Sequence, residues 1–176
     1  MKKPVLSVQQ DIKLDSLDKN LDALMKKAIY VGIARGSDKD TRNDEAPNNS
    51  DLGYIHEFGE PSKNIPARPF LRPSIEKYDK VIAKDMSKAI TQTLSGNQRL
   101  SDETLERLAI KCASQVKQYM ATADFVPLSP YTIRNRWKNQ GRGMRKAEID
   151  MNIDQNRPLI DTGALLGAID AFVVEE

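Results

Sequence analysis

Apolar residues recur at helical spacing through two long stretches of this 176-residue chain. The first set is Ile75, Tyr78, Ile82, Met86 and Ala89, and the second is Leu105, Leu108, Ala109, Cys112, Val116, Tyr119 and Met120. Steps of three and four residues place each set on one face of an α-helix. Two long amphipathic helices are therefore predicted. Pro73 suits the first turn of the first helix, Ser95 and Gly96 end it, and Ser101 suits the N-cap of the second.

Shorter patterns on either side add further helices and two strands. Leucines at 14, 17, 21 and 24 predict an amphipathic helix, and alternation over 28–33 predicts a strand. Asn49 or Ser50 is expected to cap a short helix that Gly59 ends, and Ser129 with Pro130 begins another. The apolar end, 171–174, predicts a second strand. We therefore expect one α+β domain over residues 1–176, with several long helices on a small, mainly antiparallel sheet.

Two polar stretches separate these elements. Residues 35–50 and 138–157 are rich in charged residues, Asn and Gly, and they offer few apolar side chains to offset the entropy of ordering. We expect both to be mobile loops. Such segments can order on a partner during assembly.

Net charge, cysteine content and the length of apolar runs limit the class of protein that the chain can be. A net charge of +2, from 27 basic and 25 acidic residues, does not mark a nucleic-acid binder by itself. The single cysteine, Cys112, cannot form an internal disulfide, which favours folding in a reducing cytoplasm. No apolar run reaches the length of a membrane span, so a soluble protein without membrane contact is expected.

Candidate catalytic residues are few. His56 is the single histidine, and local packing explains a lone helical histidine better than catalysis does. Asp161-Thr162-Gly163 matches an aspartic-protease triplet, but those enzymes need two facing carboxylates, and the chain has no second copy. Asp161 or Thr162 is instead expected to cap a helix beginning near Ala164. The chain is predicted not to be an enzyme, with no catalytic residue, cofactor or metal.

One basic cluster could contact DNA or an acidic partner. It comprises Arg134, Arg136, Lys138, Arg142, Arg145 and Lys146, with Trp137 among them. Cations beside an aromatic ring suit phosphate contacts. A solvated loop is the favoured reading, because no known nucleic-acid motif frames the cluster.

Two longer motifs resemble one family. The first joins Tyr54-Ile55-His56-Glu57-Phe58-Gly59 to Ile65-Pro66-Ala67-Arg68-Pro69-Phe70-Leu71-Arg72-Pro73. The second pairs Pro127-Leu128-Ser129-Pro130-Tyr131-Thr132-Ile133 with Pro158-Leu159-Ile160-Asp161-Thr162-Gly163-Ala164-Leu165. Together they resemble the tailed-bacteriophage virion-morphogenesis proteins, the neck and tail-completion group that includes minor tail protein Z. The polar insert between Arg136 and Pro158 is longer than the family pattern.

The resemblance implies a structural virion protein of the head-tail connector, or one that completes the head-proximal end of the tail. It implies a ring of copies, with six as the first expectation and twelve as the alternative. Implied partners are adjoining connector, tail terminator or tail tube proteins, with packaged DNA as a further contact. The implied location is the virion, and the host cytoplasm during assembly. The alternative function is a small factor that binds or retains DNA through residues 134–146.

The motif residues also have physical roles of their own. Arg68 lies between prolines that stiffen the backbone, so its guanidinium could reach Glu57 or a carboxylate of a neighbouring subunit. Phe70 could anchor in an apolar surface. Equally, Phe58, Ile65 and Phe70 are core residues and Arg68 is an internal brace. The sequence leaves these two readings open.

Overall fold

A computed structural model of the chain describes residues 5–37, 40, 47–139 and 157–176. Most of the two predicted loops, 35–50 and 138–157, lies outside the described residues. The elements in chain order are α1 (Val5–Met25), β1 (Lys27–Gly32), α2 (Asn49–Phe58), α3 (Leu71–Lys77), α4 (Asp79–Leu94), α5 (Gln98–Thr122), α6 (Pro130–Asn139), α7 (Ala164–Ala168) and β2 (Asp170–Glu175). A short 3₁₀ turn, Pro61–Lys63, follows α2. The strands form a small antiparallel sheet, which confirms the predicted α+β class.

The residues group into two compact units. The first comprises Met1–Val31, Lys77–Ser114 and Ala171–Glu176, and the second comprises Gly32–Glu76 and Gln115–Asp170. A single domain over 1–176 stays a prediction. Within the described residues, no helix is long and apolar enough to cross a membrane.

In the first unit, side-chain and backbone contacts join the two strands. Tyr30 stacks on Phe172 with 6.2 Å between ring centroids, and the Glu176 N–H donates to the Lys26 carbonyl at 2.7 Å. The apolar face of α5 supplies much of this unit's core, with Leu105, Leu108, Ala109 and Cys112 buried. The predicted stripe of α5 is therefore confirmed, and Cys112 is one of its small core residues.

The predicted long helix over 73–95 is instead two helices. Tyr78 separates α3 from α4, with φ −108° and ψ 12°, outside the helical range. Its carbonyl accepts hydrogen bonds from the N–H groups of Val81 and Ile82, which starts α4 afresh. The predicted end is confirmed, because Gly96 follows α4 in the left-handed conformation with φ 77°.

Ser101 is not the N-cap of α5, as the sequence suggested. The helix begins three residues earlier, at Gln98, and Ser101 is fully buried within it. Its hydroxyl accepts a hydrogen bond from the buried Thr93 hydroxyl of α4 at 2.9 Å. The pair joins α4 to α5, as does the hydrogen bond from the Thr104 hydroxyl to the Gln92 side-chain oxygen at 2.8 Å.

Removing one partner of this buried pair should be costly. We expect Ser101→Ala to lower the free energy of unfolding by about 1–2 kcal/mol, because the Thr93 hydroxyl loses its acceptor. Denaturant titration measures the change. Ser114→Ala, at an exposed position further along α5, is the matched control. Equal effects of the two substitutions would contradict a stabilising role for the buried pair.

In the second unit, a carboxylate remote in sequence holds the start of α2. The N-cap is Asn48, without a side-chain capping bond, rather than the predicted Asn49 or Ser50. Asp40 accepts hydrogen bonds from the Ser50 N–H at 2.6 Å and the Gly36 N–H at 2.8 Å. These two bonds hold the pKa of Asp40 below its usual range. The described part of the first loop is therefore anchored.

Candidate functional site

Both sequence motifs line one cleft of the second unit, with a volume of about 530 Å³. Its walls come from α2, the proline-rich stretch 64–68, the stretch 127–136, which includes much of α6, and the stretch 159–165. The polar and charged lining residues drawn from these segments are His56, Asn64, Arg68, Ser129, Thr132, Asn135, Arg136, Asp161 and Thr162. Segments that lie far apart in the sequence thus meet at one place.

Arg68 is an internal brace in this cleft. It is only 5 % exposed, and its guanidinium donates from Nε to the Val126 carbonyl at 2.7 Å and from Nη2 to the Pro127 carbonyl at 3.0 Å. Its backbone N–H donates to the His56 carbonyl at 2.6 Å. The expectation that Arg68 pairs with Glu57 is wrong, because the guanidinium faces main-chain oxygens instead. The bonds join the two sequence motifs.

Glu57 caps the start of α3. Its carboxylate accepts hydrogen bonds from the N–H groups of Phe70, Leu71 and Arg72, at 2.8, 2.9 and 3.1 Å. The first N–H groups of a helix lack partners within the helix, and their partial positive charge favours an anion. Glu57 therefore fixes the end of the proline-rich stretch against α2.

Neutralising this cap should weaken the fold. We expect Glu57→Gln to lower the free energy of unfolding by about 1–2 kcal/mol, because one amide oxygen replaces two charged acceptors. Chemical denaturation measures this change in the free energy of unfolding. Glu106→Gln, at an exposed position of α5, removes the same charge and should change the value by less than about 0.5 kcal/mol. A Glu57→Gln variant as stable as this control would contradict the capping role.

His56 is held neutral beside two cations. Burial, followed by the charges of Arg68 and Arg136, lowers the pKa of His56 to about 4. Its buried Nδ1 has no hydrogen-bond partner among the described residues. At neutral pH the imidazole carries no charge, so it adds no positive charge to the cleft.

Arg136 points inward rather than joining a free basic patch. Its Nη1 donates to the carbonyls of Arg157 at 3.0 Å and Ile160 at 3.1 Å, and its Nε lies 3.6 Å from the Asp161 carboxylate. Of the predicted cluster, Arg134 and Lys138 are exposed. Arg142, Arg145 and Lys146 lie outside the described residues. The structure therefore removes Arg136 from the surface available to DNA.

The Asp161-Thr162-Gly163 triplet begins α7 as a turn. The N-cap of α7 is Gly163, without a side-chain capping bond, rather than the predicted Asp161 or Thr162. The Thr162 hydroxyl, one residue earlier, accepts a hydrogen bond from the Ala164 N–H at 3.3 Å. Gly163 takes φ 79°, a conformation that favours glycine. Asp161 pairs with Arg136, which the sequence analysis missed because the two residues are 25 positions apart in the chain.

The remaining motif residues divide between core and surface. Phe70 is 3 % exposed and belongs to the core, whereas Phe58 is 54 % exposed and packs on Tyr54 at a centroid distance of 4.8 Å. The core assignment for Phe58 is therefore wrong. Ile65 is half-buried and bridges to Glu60 in antiparallel fashion. Pro66 and Pro69 are exposed on either side of Arg68.

Gly59 allows the return of the chain after α2. It has φ 80°, and a Cβ at this position would lie 2.9 Å from the Ala67 backbone nitrogen. A larger residue would force the proline-rich stretch away from α2. This close approach explains the glycine at the end of the first motif's helix.

The cleft carries fixed charges of both signs. Its charged groups are two guanidiniums and one carboxylate, and both guanidiniums donate to main-chain carbonyls. Within the described part of the chain, no group of three or more His, Cys, Asp or Glu side chains could hold a metal ion. Cations on rigid segments suit binding of an anionic group.

Comparison with known proteins adds one partial match. Over 43 residues the chain is 46 % identical to an uncharacterized protein of Methanocaldococcus jannaschii. That segment is 24 % of this chain and 32 % of the archaeal protein, so the chain spans about a third of that relative's length. No family model and no solved structure matches the chain. Because this relative is itself uncharacterized, the match assigns no activity, and the family resemblance stays a prediction.

Proposed function

We propose that the chain is a structural protein of a tailed-bacteriophage virion, at the neck or at the head-proximal end of the tail. The observation that carries the proposal is the convergence of its family-like motifs on one cleft. In this proposal copies form a ring, with six as the first expectation, and contact adjoining connector, terminator or tail tube proteins. Such a protein needs rigid surfaces for assembly rather than a reactive centre.

The roles of the motif side chains support this proposal. Glu57 caps a helix, Arg68 joins two segments, and Arg136 secures the turn before α7. Each polar group is engaged in holding backbone rather than poised beside a nucleophile or a base. Rigid bracing of a cleft wall is what a subunit of a fixed assembly requires.

Two exposed cations favour an alternative function, which is DNA binding. Arg134 and Lys138 lie four residues apart on α6, and both side chains are exposed. Residues at this spacing share one helix face, so they could contact neighbouring phosphates. The inward orientation of Arg136 leaves this face with fewer cations than the sequence suggested.

Disruption of the gene in the phage that encodes it tests the proposal. We expect the mutant lysate to contain separate heads and tails, or tails with a faulty head-proximal end, when viewed by electron microscopy. Complementation with the wild-type gene should restore whole particles. Formation of intact infectious particles without the protein would overturn the structural role.

A paired substitution distinguishes the alternative. Arg134→Gln with Lys138→Gln removes the two exposed cations of α6 and leaves the braced Arg136 unchanged. If the protein binds DNA here, duplex affinity should fall steeply with salt in the wild type and less steeply in the variant. Normal particles and normal DNA retention in phage carrying the variant would dismiss the DNA-binding role of these two residues.

A further inference from the structure

Arg68 is a buried cation whose partners are neutral. Its side chain donates to two carbonyls, which engage two of its five N–H groups. Among the described residues, no carboxylate lies within ion-pair distance of it, although it is only 5 % exposed. Buried charges are normally paired, because desolvation of an uncompensated ion is costly. The position therefore favours a further anionic partner.

The positive charge of a second cation in the same cleft is also only partly balanced by a carboxylate. Arg136 has a side chain only 17 % exposed, and the Asp161 carboxylate lies 3.6 Å from its Nε, beyond ordinary hydrogen-bond length. Asp161 itself is 43 % exposed. Burial lowers the pKa of Arg136, and burial together with the charge of Arg136 lowers that of Arg68. One half-exposed carboxylate thus balances two cations.

The walls between these charges suit a peptide. Leu52, Ile65, Leu128 and Leu165 line the cleft, together with prolines from both motifs. Thr132 and Asn135 add uncharged polar groups. Apolar side chains interspersed with polar groups suit an anion that is carried on apolar atoms, and hydrated phosphodiesters suit such walls less well.

We propose that this cleft binds an aspartate or glutamate side chain on a segment of an adjoining protein chain. The incoming carboxylate lies between Arg68 and Arg136, and apolar residues beside it contact Leu52 and Leu128. The inference rests on the proposed function for the identity of the partner, an adjoining virion protein. The anion site itself rests on the charges and burial of the cleft.

Titration followed by nuclear magnetic resonance tests the site in the full chain. The probe is an acetylated, amidated pentapeptide with one glutamate between leucines and prolines, and the control peptide carries glutamine instead. We expect saturable shifts of the His56 imidazole and of the Arg68 and Arg136 side-chain signals with the glutamate peptide. The glutamine peptide should shift them at least about tenfold more weakly. Absence of saturable shifts with the glutamate peptide would overturn the proposal.

Replacing Asp161 should tighten peptide binding, a result that damage to the fold would not produce. Asp161→Asn removes the competing carboxylate, so the glutamate peptide should bind about threefold more tightly, or better. Asp124→Asn removes one negative charge at an exposed position that does not line the cleft, and it should leave affinity unchanged. Equal affinities in both variants would overturn the proposal. So would tighter binding of inorganic phosphate than of the glutamate peptide, which would indicate a phosphate ligand.

The outcomes of the peptide titration can be distinguished from those of the gene disruption that tests the proposed function. The titration uses the isolated protein and reports on the cleft alone, whereas the gene disruption reports on particle assembly. A peptide-binding cleft in a protein that phage assembly does not need would refute only the virion role. A virion protein whose cleft binds no carboxylate would refute only this inference.

Discussion

Replacing Arg68 with methionine is expected to lower the free energy of unfolding by about 3 kcal/mol. The substitution keeps a long side chain but leaves the carbonyls of Val126 and Pro127 without their charged donor. A hydrogen bond to a charged group contributes about 1.5–3 kcal/mol, and two such bonds are lost here. Equilibrium unfolding in urea, followed by circular dichroism, measures the loss.

Arg72→Met is the matched control for this substitution. Arg72 lies four residues away in the same motif with an exposed side chain, so its replacement should change the free energy by less than about 0.5 kcal/mol. If Arg68→Met is as mild as the control, Arg68 is not the brace that joins the motifs. The same result would restore the alternative that its guanidinium serves a neighbouring subunit.

The second large effect is a loss of stability in mild acid. The pKa of His56 is about 4 in the folded chain and about 6.5 when unfolded, so the unfolded state binds the extra proton between these values. The stabilising contribution is complete above about pH 6.5 and is lost as the pH falls towards 4. We expect a loss of about 1–2 kcal/mol between pH 7 and pH 5, allowing for the partial exposure of the ring.

His56→Gln isolates this contribution. Other groups titrate in acid too, but the difference in free energy between wild type and variant should shrink by about 1–2 kcal/mol from pH 7 to pH 5. Because the chain has one histidine, its imidazole signal reports the folded pKa directly by nuclear magnetic resonance. A folded pKa near 6.5, or a difference that does not vary with pH, would contradict the buried, neutral imidazole.

Elements defined by local patterns were predictable. The stripe of α5 has seven apolar residues at helical spacing, and the strand β2 is a short apolar run after a turn, so each pattern fits one structure. Ser129 and Pro130 likewise mark the start of α6, where the Ser129 hydroxyl accepts the Thr132 N–H at 3.2 Å. These signals act within a few residues, and the sequence displays them directly.

Contacts that join distant residues were not predictable. Ser101 has the residue type of an N-cap, yet its hydroxyl pairs with Thr93 inside a helix interface. Asp40 holds the start of α2 from ten residues away, in a stretch whose composition predicts only a mobile loop. The sequence left open whether Arg68 pairs with a carboxylate or braces the interior, and the fold presents two carbonyls to it. Burial and pairing of this kind depend on tertiary structure.

The sequence indicated which residues form the two motifs, but not that the motifs meet in one cleft. Both motifs were recognised as sequence patterns, while their meeting at one site depends on how α2, α6 and α7 pack within the second unit. The weak compensation of Arg68 and Arg136 follows from that packing. The sequence alone placed Arg136 in a solvent-facing cluster instead.

A reconstruction of the head-tail junction in purified particles tests the central proposal most directly. We expect a ring of density at the neck or the head-proximal end of the tail into which copies of this chain fit, with the cleft that both motifs line facing a neighbouring chain. A reconstruction in which every density of the neck and tail end is assigned, and none contains this chain, would contradict the proposal.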